Sequence, residues 1–444
     1  MRITQLAFRN LPTLYLAIFG SLQLALLWAY QARFGIVIPI VGTGLFLGLL
    51  LLMLRTADRW SWKVVILAVL VGVITFGPSI AATSQRQYTG LSFECDCMAM
   101  DEVAVDRLLH GQAIYGVDWS HTQAAGYAAV WGGLDIQYYD HFPLMALSAV
   151  PVRVLTDAAH APFDYRMVLI IFSLIAMAAI AWLPVPLLSR FAVMVAILVN
   201  PALSLGAWTG HDDICYLAVF LVGLTLLARK HLLLACLAFG IAGALKPFAL
   251  LAFPLVLAII WKRQAEPLRT RLTTGALASA AFALPVLLSV GPFLLRDAPA
   301  FYRDALAYPT SLLPIGGYGF GALLVAVHLI ASEGSFPFAP FELAALGPAY
   351  LFALRALRRR GTLGQFVASY CLVLFAFLFF ARYFADNYLA ALIALVLCVP
   401  LLTAARSDPA YDLRLQPEVA PAGWWRRRES NSRPKQRPAR HLRA

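Results

Sequence analysis

Charge is what this sequence has least of. Asp, Glu, Lys and Arg make up 13% of its 444 residues, about half the share of a soluble globular domain, which excludes an ordinary soluble enzyme and a disordered chain. Cysteine is scarce too, six in all, and Cys215, Cys236, Cys371 and Cys398 fall in apolar runs, so a secreted disulfide scaffold is excluded. Cys95 and Cys97 stand too close together for an ordinary unstrained disulfide. As a Cys-Asp-Cys metal site they need two further ligands. What the chain has in abundance is apolar surface: 61% of residues are hydrophobic and the mean hydropathy is +0.75, the composition of a polytopic membrane protein. The net charge of +12 does not indicate a nucleic-acid binder, because residues 405–444 alone hold ten Lys/Arg against four Asp/Glu.

Apolar stretches of ~20 residues cross the hydrocarbon, and short Lys/Arg-rich loops stay in the cytoplasm. The stretch Leu11 to Tyr30 has a basic flank but no small-residue cleavage site, so it reads as a retained span rather than a signal peptide. Residues 12–31, 35–54 and 63–83 read as three spans, with Arg55, Arg59 and Lys63 inside. Residues 84–142 then lie outside. This 59-residue loop carries eight Asp/Glu against two Arg and is far longer than a simple connection. Arg190, Arg229–Lys230, the run Lys262 to Arg271, the cluster RALRRR at 355–360 and the basic tail read as inside. Spans 191–209 and 214–228 place Gly210-His211-Asp212-Asp213 at an outer turn, 167–184 is a further span, and Phe142 to Leu155 is a short amphipathic or re-entrant helix on the outer face.

Residues 231–261 begin and end at inside-type charge yet suffice only for two arms of about 15 residues, each reaching ~23 Å. Lys246-Pro247 marks their apex, and a lysine at such a break is a functional candidate that needs a partner. Spans 363–381 and 384–404 flank an outer turn containing Arg382 and Tyr388. Between Lys262 and Glu333 the stretches 272–295 and 318–332 cannot both be simple spans, and 297–317 reads as outside. The expected fold is an all-α polytopic bundle of roughly 11–13 membrane helices, in four parts: N-terminal spans 1–62, a module 63–262 containing the outer loop, C-terminal helices 263–404, and a basic disordered cytoplasmic tail 405–444.

Within the loop, Met100 to Gly111 reads as a short membrane-surface helix, which puts Asp101 and Glu102 at its N-terminus, where free N–H groups stabilise carboxylates and aim them at a substrate. Trp119, Tyr127, Trp131, Tyr138 and Tyr139 read first as an interfacial belt and second as a wall for sugar faces. His328, in an apolar run, reads as a satisfied core histidine.

The string DEVAVDRLLHGQAIY after an N-terminal span resembles the first extracytoplasmic loop of GT-C glycosyltransferases, which transfer sugars from polyprenyl-phosphate donors. HFPLMALSAVPVRVL is similar to the helix that follows that loop. NPALSLGAWTGHDD resembles the Asn-Pro…Gly-His-Asn-Asp turn of bacterial polyprenyl-phosphomannose-dependent mannosyltransferases, and LLLACLAFGIAGALKPFALLAFPLVL looks like their Ala/Gly-rich helix ending in Lys. The order matches over about 63–262. The chain departs from the pattern in its two extra N-terminal spans, in Cys95-Asp96-Cys97 and in His-Asp-Asp where His-Asn-Asp is common.

The resemblance implies a GT-C-like bundle in the inner (plasma) membrane with an extracytoplasmic active site, a polyprenyl-phosphate sugar as co-substrate and a glycolipid, glycan or protein as acceptor, in contact with membrane lipids and with no nucleic acid. Asp101, with Asp96 as its competitor, is the candidate general base for an inverting displacement. Glu102, or His211 with Asp212 and Asp213, would position hydroxyls. Lys246 and Arg382 would neutralise the leaving phosphate, and Tyr388 and His141 would donate hydrogen bonds. The resemblance favours metal independence, although a divalent cation bridging Asp101, His211 and Asp213 would do the same neutralising work. Broken helices with an apical lysine also suit a transporter or flippase of lipid-linked sugars, and a large outer loop also suits a lipid-linked glycan polymerase or ligase.

Overall fold

The computed structural model describes residues 2–55, 60–89, 95–122, 137–261 and 267–403. Arg59, Tyr127, Trp131, the start of the Lys262–Arg271 run and the basic tail lie outside these residues. The described chain is almost wholly helical. Its helices are α1 (Arg2–Ala29), α2 (Val37–Arg55), α3 (Trp60–Val71), α4 (Gly77–Thr89), α5 (Asp96–Leu109), α6 (Pro143–Ala158), α7 (Arg166–Trp182), α8 (Leu187–Leu198), α9 (Pro201–Thr209), α10 (Asp213–Ala228), α11 (Leu232–Leu245), α12 (Phe253–Trp261), α13 (Leu268–Phe301), α14 (Phe320–Ala326), α15 (Phe338–Arg360), α16 (Leu363–Phe380) and α17 (Asp386–Thr403). A short turn, Gln31–Phe34, links α1 and α2.

Six stretches are long and apolar enough to cross a membrane: Asn10–Ala29, Val37–Arg55, Trp60–Arg86, Leu268–Leu312, Leu363–Phe380 and Asp386–Thr403. A seventh is added if α8 and α9, bent by 47°, count as one. Four further apolar helices, Arg166–Trp182, Asp213–Ala228, Leu232–Leu245 and Pro247–Trp261, are shorter. The chain is therefore a multi-pass membrane protein by helix length and composition.

Each break has a local cause. Asn200 caps α9 by accepting the Ala202 N–H, and Pro201 has no N–H to extend α8, so the expected single span 191–209 is a bent pair. Lys246 is extended, as the residue before a proline tends to be, and α11 stops at Leu245 before a 3₁₀ turn, Pro247–Ala252. This is the expected apex. A π-helical turn at Gly72–Phe76 joins α3 to α4; there the Ile74 carbonyl accepts from Gln23 Nε2 at 3.1 Å and the Thr75 carbonyl from Trp208 Nε1 at 3.1 Å.

The stretch 318–332 is no span: only the seven-residue α14 forms there. The long apolar helix is α13, interrupted at Asp297, and RALRRR forms the end of the 23-residue α15. A pair of two-residue strands, β1 (Gly316–Gly317) and β2 (Tyr383–Phe384), runs parallel and ties the segment after α13 to the turn between α16 and α17. Gly317 has φ +84 and lies against the Phe384 backbone, where a Cβ would have no room. Packing of α10 on α7 and α11, α11 on α13, and α16 on α15 and α17 forms the core.

Candidate functional site

Helix α5 begins at Asp96, not Met100. Cys95 is its extended N-cap, its sulfur accepting from the Met98 N–H, while Asp96 Oδ1 accepts from the Cys97 N–H at 2.9 Å. The extended cap followed by helix spaces the Cys95 and Cys97 Cα atoms 5.4 Å apart, within the range a disulfide needs, and the two are bonded. The expectation that they stand too close is thus corrected by backbone conformation. Asp101 and Glu102 consequently fall in the second turn, where amides are spent inside the helix, and the expectation that N-terminal N–H groups hold them does not stand.

The helix is docked by polar contacts. Glu102 takes a two-pronged ion pair from Arg86, at 2.7 and 2.6 Å, and the Tyr165 N–H at 2.8 Å. Asp164 lies 3.5 Å from Arg86 and 2.8 Å from Arg166. Burial pushes the Glu102 carboxyl up, against the Arg86 charge that holds it down. Glu102 is thus a fastener between loop and bundle rather than a group presented to a substrate. Glu102→Gln should cost about 1–3 kcal/mol, because one charge of a buried pair is removed while its partner stays. The check is the melting midpoint of purified protein, and an unchanged midpoint contradicts this assignment.

Cys95 N–H donates to the Thr209 carbonyl at 2.7 Å, setting the start of α5 on the turn between α9 and α10. Gly210 ends α9 at φ +98, and a Cβ there would collide with Met98 of α5. This contact requires glycine twice over, for conformation and for space. Asp212 and Asp213 follow immediately at the start of α10.

Around this junction a buried charge cluster assembles. Asp101 is fully enclosed; its Oδ1 accepts from Tyr139 Oη at 2.8 Å and lies 3.1 Å from His141 Nδ1. His141 Nδ1 lies 3.9 Å from Asp212 Oδ2, and its Nε2 lies 3.7 Å from Asp140 Oδ1. Lys246 Nζ bridges Asp212 Oδ1 at 2.6 Å and Asp213 Oδ1 at 2.7 Å. Asn387 Nδ2 donates to Asp213 Oδ2 at 2.6 Å, and the Tyr388 ring sits 5.2 Å from Lys246 Nζ. Burial pulls the His141 imidazole down, but the facing Asp101 and Asp212 carboxylates outweigh it and raise it to about 10. Burial pushes the Asp140 carboxyl up to about 6 in spite of His141, and pushes the Asp101 carboxyl up as well.

The cluster opens into a cavity of about 440 Å³ between the loop, the apex and the segments after α13 and α16. Asp96, Asp140, His141, His211, Asp212, Lys246, Arg382 and Tyr388 line it. Tyr302, Leu306, Leu313, Phe377 and Leu378 supply an aromatic and apolar side. Arg382 is 4% exposed; its Nε donates to the Leu313 carbonyl, and among the described residues it forms no ion pair.

The structure therefore gathers His141, His211, Asp212, Lys246, Arg382 and Tyr388 on one cavity, keeps Asp213 behind it as a partner of Lys246, and seals Asp101 behind His141. Asp101, His211 and Asp213 do not meet as a metal trio: His211 Nδ1 turns to Thr209 Oγ1 at 2.8 Å. Ligand atoms of Asp101, His141 and Asp212 lie within 4.8 Å of one another, as do those of Cys95, Cys97 and His211, the first two of which are committed to the disulfide.

Trp119 and Tyr139, read as an interfacial belt, are fully buried and stacked at 5.4 Å in the loop's own core. His328 is exposed and left-handed at φ +58, not a core histidine. Asp140 and Asn387 were missed. The signal for Asp140 was its place in the Asp-His pair after two tyrosines; Asn387 carried none. Comparison of the chain with known protein families, curated proteins and solved structures returns no match.

Proposed function

We propose that this protein is a membrane glycosyltransferase that moves a mannose-like hexose or a pentose from a polyprenyl-phosphate donor to an extracytoplasmic glycolipid, glycan or protein acceptor, with inversion. The observation that carries the reading is Arg382: a buried guanidinium without an ion-pair partner among the described residues, lining a cavity that has carboxylates and histidines on one side and an apolar side for a lipid chain. A cation so placed suits an anionic headgroup, and a phosphate leaving group gathers charge as its bond to the sugar breaks. Lys246, already neutralised by Asp212 and Asp213, adds rigidity more than free charge.

The acceptor hydroxyl needs a base on the opposite side of the sugar. Asp101 has no access to the cavity, so its part is to position His141. Asp140, which faces the cavity beside His141, takes the proton as the hydroxyl oxygen bonds to the anomeric carbon and the bond to the lipid phosphate breaks. His211 and Asp96, on the same wall, suit sugar hydroxyls. The proposed arrangement is a GT-C-like bundle in the inner membrane with this cavity on the extracytoplasmic side, in keeping with the charge pattern of the loops.

The test is transfer by purified protein in lipid, using a panel of radiolabelled polyprenyl-phosphate sugars with crude membrane lipid as acceptor. One donor should serve. Asp140→Asn should lower kcat by about 10²–10⁴-fold, Asp101→Asn should also lower it, and Asp96→Asn should retain most activity. Movement of the labelled lipid across the bilayer with no transfer from any donor would instead indicate a transporter.

A further inference from the structure

Three carboxylate oxygens in the cluster are buried without a hydrogen bond: Asp140 Oδ1, which lies 3.7 Å from His141 Nε2, and, more deeply enclosed, the Oδ2 atoms of Asp101 and Asp212. Asp101 and Asp212 are essentially inaccessible, and leaving such an oxygen unsatisfied in a dry interior is costly. They belong to different elements, α5 and the start of α10, brought together on either side of His141. Asp212 shares its other oxygen with Lys246, so Oδ2 is what remains for another cation. Asp101, Asp140 and Asp212 all face the His141 ring, while Lys246 is shared between Asp212 and Asp213.

We propose that Asp101, His141 and Asp212 form a binding site for one divalent first-row cation such as Mn²⁺ or Zn²⁺. Two carboxylates and an imidazole are a donor set that such ions favour over Mg²⁺ or Ca²⁺. The three ligand atoms lie within 4.8 Å of one another, a spacing that bonds of about 2.0–2.2 Å to a central ion can draw together. The Tyr139 hydroxyl on Asp101 and the Lys246 ammonium on Asp212 are outer contacts of the kind that orient ligating carboxylates. His141 lines the cavity, which leaves a side of the ion open to it. The site itself stands independently of the transferase reading. Only its use, neutralising a donor phosphate in the same cavity, rests on that reading.

The experiment uses the full chain, stripped with chelator, returned to lipid nanodiscs and titrated with MnCl₂ while free Mn²⁺ is followed by electron paramagnetic resonance. One saturable site per chain is expected. Asp101→Asn, His141→Gln and Asp212→Asn should each weaken it at least tenfold, whereas Asp106→Asn, an exposed acid on the same helix, should leave it unchanged. Pulsed resonance on the wild-type complex should show hyperfine coupling to an imidazole nitrogen, a readout that survives if any variant fails to fold. Absence of a saturable site, binding insensitive to all three substitutions, or bound Mn²⁺ without nitrogen coupling would each overturn the proposal. Transfer activity that fails while the site binds would count against the transferase reading alone.

Discussion

Lys246→Met should destabilise the protein more than any other single substitution at the site. The lysine is 7% exposed and bonded to two carboxylates that are more deeply buried still. Methionine fills the same volume but leaves Asp212 and Asp213 as uncompensated buried charge, a defect worth about 3–5 kcal/mol. The expected result is a large fall in the midpoint of heat-induced loss of the monodisperse detergent-solubilised protein. The double variant Lys246→Met/Asp213→Asn separates charge from packing. If charge is the cause, removing one carboxylate restores part of the midpoint, and the two substitutions are strongly non-additive. An additive pair would place the cost in packing of the helix break instead.

Arg382→Gln has the opposite profile. Arg382 balances no charge among the described residues and is tied to the Leu313 carbonyl alone, so its loss should move the midpoint far less than Lys246→Met. If the cavity takes a phosphate-bearing donor, transfer should fall about 10²–10³-fold, the range for removing one preorganised donor at a site of developing charge. The fall should appear in kcat as well as KM, because charge on the phosphate grows as the bond breaks. Arg382→Lys should recover only part of it, since a point charge does not reproduce a planar fork of donors. A variant with wild-type kcat and KM would remove the phosphate from this wall of the cavity.

The two substitutions differ because the two cations sit in different electrostatic surroundings, and that difference is invisible in sequence. Lys246 reads as the apex of a broken helix pair and Arg382 as part of a turn between two spans. Lys246-Pro247 announced a break, and a lysine at a break announces a need for a partner, yet nothing in the run identified Asp212 and Asp213 as those partners in preference to a ligand. Arg382 offered only its position between two apolar stretches. Its lack of an ionic partner emerges from the bridge between β1 and β2 and from the return of the segment after α13.

Asp101 shows the same limit from the other side. Its neighbourhood was legible: a short loop helix, acids near its start, aromatics and a histidine beyond. Starting α5 at Asp96 instead of Met100 moved the carboxylate from the helix N-terminus into the second turn, and the packing of α5 against Tyr139 and His141 encloses it there. Asp140, unremarked beside His141, took the place on the cavity wall.

The sequence by itself determined the membrane character, the apolar helices, the long loop and the breaks at Gly210 and Lys246-Pro247. These depend on composition over ~20 residues and on the backbone chemistry of proline, glycine and capping side chains, all of which act locally. Only the tertiary structure decided which acids are spent and which are offered. Asp213 meets Asn387 across 174 positions, Lys246 meets Asp212 across 34, and Asp101 meets His141 across 40. Contacts of this range follow from how helices rotate and pack against one another, and the free energy of a buried charge depends on what that packing sets beside it.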